Sequence, residues 1–444
     1  MSAQNTHRWW AHLLRLALVS IALLIVSGKA DVVAQQVLDI CGCAGTPGLT
    51  AFNAGDPTTY PPGTTGCSGP CTGGAINIGL PPDGVLRFSS FTIAGGFQVG
   101  FNPNAANTPA TILVAGNVLL QSNVGCCLTL SVNGSGGSSG SGALAGVGGL
   151  GGNGGFRGGD GSALPINGFS TGGAGFGPGG GSPATPGAIA AGGTFFGIPE
   201  LLPLVGGSGG GGGAGFGSTS SCTGGGGGGG GGGLLIAANG TITMVNYFLF
   251  AEGGGGGSVG NGGCARGGGG GSGGAIRLVA NRLVDGGSVN LFARGSGGGF
   301  DGAAGSDGRI RLETIDTSAQ TTFAATPPAI RVTGPGPLSN PVSPTVTITQ
   351  VNGNAVPPSP QGLRGSIDIV LPAPGVTGVD VATTGVPSGT TVLVTAKARV
   401  GAAAQVTTVP LTNCDVLGNC TATATFNLGA GAFVLEARAT FQVP

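Results

Sequence analysis

Histidine, tryptophan and lysine are nearly missing from this chain. His7 and His12 are its only histidines, Trp9 and Trp10 its only tryptophans, and Lys29 and Lys397 its only lysines. All but Lys397 fall in residues 1–34, which read as a removable export signal. His7, Arg8 and Arg15 give that segment a basic start, and Leu16 to Val26 is an apolar run too short to span a bilayer comfortably. Val32-Val33-Ala34 fits a small-residue cleavage pattern. An uncleaved membrane anchor is the competing reading. Cleavage would leave no histidine, which excludes Ser/His and Cys/His nucleophilic sites. It would leave no tryptophan, and only Tyr60 and Tyr247 as tyrosines.

Charge is also scarce. Charged residues make up 7% of the chain, and 16 basic residues balance 16 acidic ones, so no nucleic-acid partner is expected. No second apolar run of spanning length follows the signal, so no membrane partner is expected after cleavage. No cysteine follows the apolar run closely enough to accept a lipid.

Glycine is what the chain has in excess, 101 residues of 444. Collagen needs glycine at every third position, and these runs do not keep that period. Disorder throughout conflicts with a hydrophobic content of 40%, which is enough apolar surface to bury.

Internal repetition points to the fold. Leu234-Leu235-Ile236-Ala237-Ala238-Asn239 recurs as Ile276-Arg277-Leu278-Val279-Ala280-Asn281, at an offset of 42. A second strand recurs at the same offset, Leu249-Phe250-Ala251-Glu252 against Leu291-Phe292-Ala293-Arg294. A looser first copy runs Ile112-Leu113-Val114-Ala115-Gly116-Asn117, then Leu130-Ser131-Val132. A truncated last copy is Ile310-Arg311-Leu312-Glu313. The match lies in the non-glycine residues, so low complexity does not explain it. An all-β chain is predicted: a right-handed parallel β-helix or solenoid over 81–326, with glycine-rich excursions. Residues 35–80 form a cysteine-rich cap, and 327–344 a proline-rich linker. Seven strand candidates in 345–444 (Thr345–Thr349, Ser366–Val370, Val376–Thr384, Thr391–Val400, Gln405–Leu411, Thr421–Leu428 and Ala432–Val443) predict an Ig-like β-sandwich.

All 10 cysteines lie beyond the signal, and an even number in an exported chain points to disulfides. Cys222 and Cys264 hold the same phase of successive repeats. Stacked coils would bring them about 4.8 Å apart, so a bridge is predicted there. Cys414 and Cys420 are expected to close a small loop. In the cap, pairing is expected between Cys41 or Cys43 and Cys67 or Cys71, with a zinc site as the competing reading.

The glycine blocks have two readings. Gly134–Gly193, interrupted by Ser, Pro and Asn, reads as flexible loop. Gly206–Gly213 and Gly224–Gly233 are either loop or ordered left-handed segments that bond backbone to backbone. Asp160 and Asp307 read as turn residues rather than periodic calcium ligands. The nucleotide fingerprint G-x-G-x-x-G is matched trivially, with no helix after it. No cofactor or metal is implied, and no catalytic residue is assigned. The best cluster for a polysaccharide lyase or hydrolase is Asp285, Asp301, Asp307, Arg309 and Arg311. Arg277 and Arg311 share a strand phase and are expected to form an outward row that keeps the sheet soluble.

The strings Leu201-Leu202-Pro203-Leu204-Val205-Gly206-Gly207-Ser208-Gly209-Gly210 and Gly271-Ser272-Gly273-Gly274-Ala275-Ile276-Arg277-Leu278-Val279-Ala280-Asn281 look like those of secreted glycine-rich β-helical proteins of environmental bacteria. The chain resembles that group over roughly residues 80–315. In composition alone it is similar to glycine-rich receptor ectodomains and phage tail-tip adhesins, where polyglycine helices pack together. The resemblance implies architecture and carries no functional residue. The expected role is structural or adhesive at the cell surface or in the matrix, with an extracellular glycan or a cell-surface or matrix protein as partner. The alternative is the polysaccharide enzyme.

Overall fold

The computed structural model describes residues 39–43, 46–66, 72–123, 128–141, 144–163, 168–185, 187–217, 221–259, 265–316, 323–338, 345–357, 367–398, 405–415 and 419–439. These belong to one compact unit, Asp39–Pro444. The expected signal over 1–34 lies outside the described residues. Strands dominate, and a short 3-10 turn at Pro57–Thr59 is the only helical element described.

The largest element is a parallel sheet curled into a half-barrel. Its strands run in space from Ala324–Thr326 through Asn290–Phe292, Tyr247–Phe250, Leu128–Ser131, Phe91–Asn102, Val118–Ser122, Gly233–Val245, Ala275–Asp285 and Arg309–Asp316 to Ile330–Thr333. Long strands that change partners part-way help to produce the curl. Phe91–Gly95 pairs with Val118–Ser122, whereas Gly96–Asn102 pairs with Gly73–Gly79. Gly95 sits at the change with φ +116°, a conformation side chains resist.

The 42-residue period is a strand register. Leu234 lies opposite Ile276, Leu249 opposite Leu291, and Ile276 opposite Ile310. The first copy departs from the expected alignment. Ile112 faces Ile236 rather than Leu234, although Leu130 faces Leu249 as expected. A slip of two residues keeps every side chain on its own face, so the hydrophobic pattern tolerates it. Inward residues Ile112, Ile236, Leu278, Leu312 and Leu249 are fully buried in one continuous core.

The outer face of the first part of Gly233–Val245 is buried as well. Leu235 and Ala237 pack with Ile40, Cys41, Cys43 and Val279, with Leu204 and Leu338 beside them. Asn239 holds this cover in place: its Oδ1 accepts from Cys41 N at 2.9 Å, and its Nδ2 donates to Asp39 at 3.0 Å. Cys41 is bonded to Cys43, not to the second cysteine pair as expected. The short loop fixed by Asp39 and Asn239 holds the two within bonding distance, which also removes both as zinc ligands. Cys67 and Cys71 lie outside the described residues. The segment read as a separate cap supplies strands Phe52–Asn53 and Gly73–Gly79 to the parallel sheet, and the expected linker begins with the sheet strand Ile330–Thr333.

The glycine blocks are ordered. Every N–H from Gly224 to Gly232 donates to a backbone carbonyl, and the acceptors rotate with a period of three. Gly224, Gly227 and Gly230 reach Ser162, Gly159 and Phe156; Gly225, Gly228 and Gly231 reach Arg266, Gly269 and Ser272; Gly226, Gly229 and Gly232 reach Ser138, Ser135 and Val132. The carbonyls of Gly224, Gly225 and Gly226 accept from Gly146, Gly213 and Gly257, on three further segments. The segment is thus surrounded on six sides. The segments around 207–213 and 266–274 are enclosed in a similar way. Three residues per turn with no internal hydrogen bonds is the geometry of an extended left-handed helix, which must find its partners on neighbours. A Cβ on Gly228 would lie 1.9 Å from the Gly254 oxygen, so this position accepts no side chain.

The region 134–193, expected to be flexible, supplies outer segments of this bundle. There side chains return at spacings of three, as in exposed Leu144, Val147 and Leu150. Asp160, read as a turn residue, is buried inside the bundle and paired with Arg157.

Residues 345–439 form two antiparallel sheets over a shared core. One orders Asn354–Ala355, Thr345–Val351, Gly375–Thr384 and Cys420–Leu428; the other orders Gln405–Pro410, Thr391–Ala398 and Phe433–Ala439. The expected strand Ser366–Val370 does not form over its described part. Ile367 and Val370 point to solvent, and Asn354–Ala355 provides the edge hairpin instead.

Candidate functional site

The acid and arginine cluster considered for a polysaccharide enzyme is spent on local structure. Asp285 accepts from Gly287 N at 2.8 Å, capping its own turn, and Asp307 accepts from Gly295 N at 3.0 Å. Asp301 lies 3.9 Å from Arg266 at the surface. Arg309 donates to the Gly197 carbonyl and lies over the Phe195 ring. Arg311 bonds Glu313 at 2.6 Å and the Pro199 carbonyl at 3.2 Å.

The expected outward arginine row forms in register, with Arg277 opposite Arg311. It does not face solvent, because the proline-rich segment crosses over it. Arg277 is 1% exposed and Glu313 0%. Arg277 Nε donates to Glu313 at 2.7 Å and its terminal nitrogen to the Pro337 carbonyl at 2.9 Å, while Gly336 N donates to Glu313. Burial alone would raise the Glu313 pKa. Hydrogen bonds from Arg277, Gly336 and Arg311 outweigh it and hold the carboxyl below its ordinary value. The network locks the linker onto the sheet. The shared arginine phase was visible in the repeat; what covers it was not.

Cys222 is buried and disulfide-bonded, whereas Cys264 lies outside the described residues. Cys414 and Cys420 are bonded as expected. Among the described residues no group of three His, Cys, Asp or Glu is placed to hold a metal.

A cavity of about 1310 Å³ opens between the C-terminal sheets and the glycine bundle, with Val346, Ile348, Leu393, Val406 and Val434 among its walls and Phe156 on the bundle side. Lys397 anchors its inner end. Its Nζ lies 3.0 Å from Glu436 and donates to the Gly175 carbonyl at 3.1 Å, while Glu436 accepts from Gly177 N at 2.9 Å. Lys397 stood out in the sequence as the one lysine outside the signal, but nothing there indicated a partner more than 200 residues away.

No protein-family profile, curated protein or solved structure matches the chain. Among the described residues no helix is long and apolar enough to cross a membrane.

Proposed function

We propose that this is an exported structural or adhesive protein of the cell surface or extracellular matrix. In this reading the curled sheet and the glycine bundle are two walls of a right-handed parallel β-helix, and the C-terminal sheets form an Ig-like module. The 42-residue register at both strands supports the first assignment, and the two antiparallel sheets over one core support the second. The observation that carries the role is the enclosed segment Gly224–Gly232. With its N–H groups paired to the backbone and no side chains, it has nothing to offer a substrate. Its contribution is a stiff, uncharged body that presents other surfaces.

The partner is an extracellular glycan or a cell-surface or matrix protein, and the apolar cavity beside Lys397 is where the C-terminal module would engage it. Binding of the full chain to arrayed glycans and to cell-surface and matrix preparations tests this. Loss of binding to the cell-surface and matrix proteins in Leu393→Arg is the expected result, and unchanged binding to them refutes the role given to the cavity. Glycan depolymerisation abolished by Asp307→Ala or Arg309→Ala would establish the enzyme instead.

A further inference from the structure

The outer face of the sheet, where Gly73–Gly79, Phe91–Asn102 and Leu128–Ser131 lie side by side, carries a groove of about 290 Å³ with no charged lining residue among those described. Asn77 lies opposite Gly100, Val99 opposite Leu130, Ser131 opposite Phe250, and Phe250 opposite Phe292. Asn77, Gly100, Ser131, Phe250 and Phe292 therefore form one row across neighbouring strands, at about 4.8 Å per step. Gln98 and Thr129 lie in the adjacent row. Gly100 leaves the gap that opens the groove, with the Asn77 Oδ1 leaning over it. Beyond Ser131 the row becomes aromatic. Phe250 and Phe292 stack at 5.1 Å, with Phe248 edge-on against both.

A second observation is independent of this row. Asn153, on the glycine bundle, lines the same groove. It is 5% exposed, and its Nδ2 has no hydrogen-bond partner. A buried donor left without a partner is destabilising. A ligand that let this side chain turn into the groove would give the donor a partner.

We propose that this groove is a binding subsite for a neutral oligosaccharide. Hydroxyl groups both donate and accept, as do the Asn77 and Gln98 amides and the Thr129 hydroxyl. The uncharged lining offers no counter-ion to a uronic or sulfated sugar. Phe250, on the next strand, provides an aromatic edge beside which a pyranose ring can pack. The proposal shares with the adhesive reading an extracellular glycan as partner, but it places that glycan on the sheet and not in the cavity beside Lys397.

The test is direct binding of the full chain to cellohexaose, xylohexaose, mannohexaose and laminarihexaose, with oligogalacturonate as the acidic comparison. At least one neutral oligosaccharide is expected to bind. Gly100→Val, whose Cβ would press only on the end of the Asn77 side chain and whose branches fill the groove, and Gln98→Ala are each expected to weaken it at least tenfold. Asn153→Ala is expected to do the same without lowering the unfolding midpoint, since the donor it removes has no partner. Leu393→Arg should leave this affinity as it is. Failure of every neutral oligosaccharide to bind overturns the proposal, as does equal binding of oligogalacturonate. Binding that survives Gly100→Val but is lost in Leu393→Arg overturns it while supporting the cavity as the adhesive site.

Discussion

Glu313→Gln isolates the charge that holds the linker to the sheet. Glutamine keeps the shape of the side chain and removes its charge. Arg277, 1% exposed, and Arg311 would then face a neutral amide. Breaking a buried pair by removing one partner costs about 3–5 kcal/mol, because the remaining charge stays desolvated. Exposed pairs contribute about 0–1 kcal/mol. Urea unfolding at neutral pH distinguishes the two ranges, provided the transition remains two-state. Exchange of the Gly336 amide, which donates to Glu313, should accelerate together with the loss of stability. Acid provides a second check. The folded carboxyl titrates below its ordinary value of 4.5, so its stabilisation is complete above that value and lost as pH falls through the folded pKa. The gap between wild type and Glu313→Gln should therefore close in acid. A neutral-pH cost below about 1 kcal/mol, in the range of exposed pairs, would refute the buried-lock account.

Two further outcomes follow from the bundle. Gly228→Ala places a Cβ 1.9 Å from a backbone oxygen, whereas Gly297→Ala meets nothing within 4 Å. The first should lower stability by about 1–3 kcal/mol or more, as overpacking does, and the second should be tolerated; similar unfolding midpoints would contradict the close packing. Gly225 N donates to the Arg266 carbonyl at 3.2 Å, close in sequence to Cys222 and Cys264 respectively. Non-reducing peptide mapping is expected to recover a Cys222–Cys264 cross-linked peptide, and a free thiol at either position would remove that bridge.

The sheet half of this architecture was legible because its signal lies in side chains. Leu234/Ile276 and Leu249/Leu291 repeat at one interval, and parallel pairing turns a shared interval into a shared register. The arginine phase was equally visible at Arg277 and Arg311, yet its environment was not. Solvent on that face is excluded by Gly336 and Pro337, and a repeat does not record what folds across it. The groove at Gly100 was harder to see, since Asn77, Gln98, Ser131 and Asn153 come from separate segments and none is unusual alone.

Glycine marks the boundary between the two kinds of information. From sequence, Gly134–Gly193 and Gly224–Gly233 differ little from a flexible linker, because a residue without a side chain carries no pattern of faces. Its composition determined only that close approach was allowed. Whether the approach takes place depends on neighbours such as Ser162, Gly269 and Ser135, brought alongside Gly224–Gly232 by the folded chain. The sequence by itself determined the strand period, the balance of charge and the scarcity of histidine. Only the tertiary structure decided that the glycines are an interior, since their bonds run between segments and not within them.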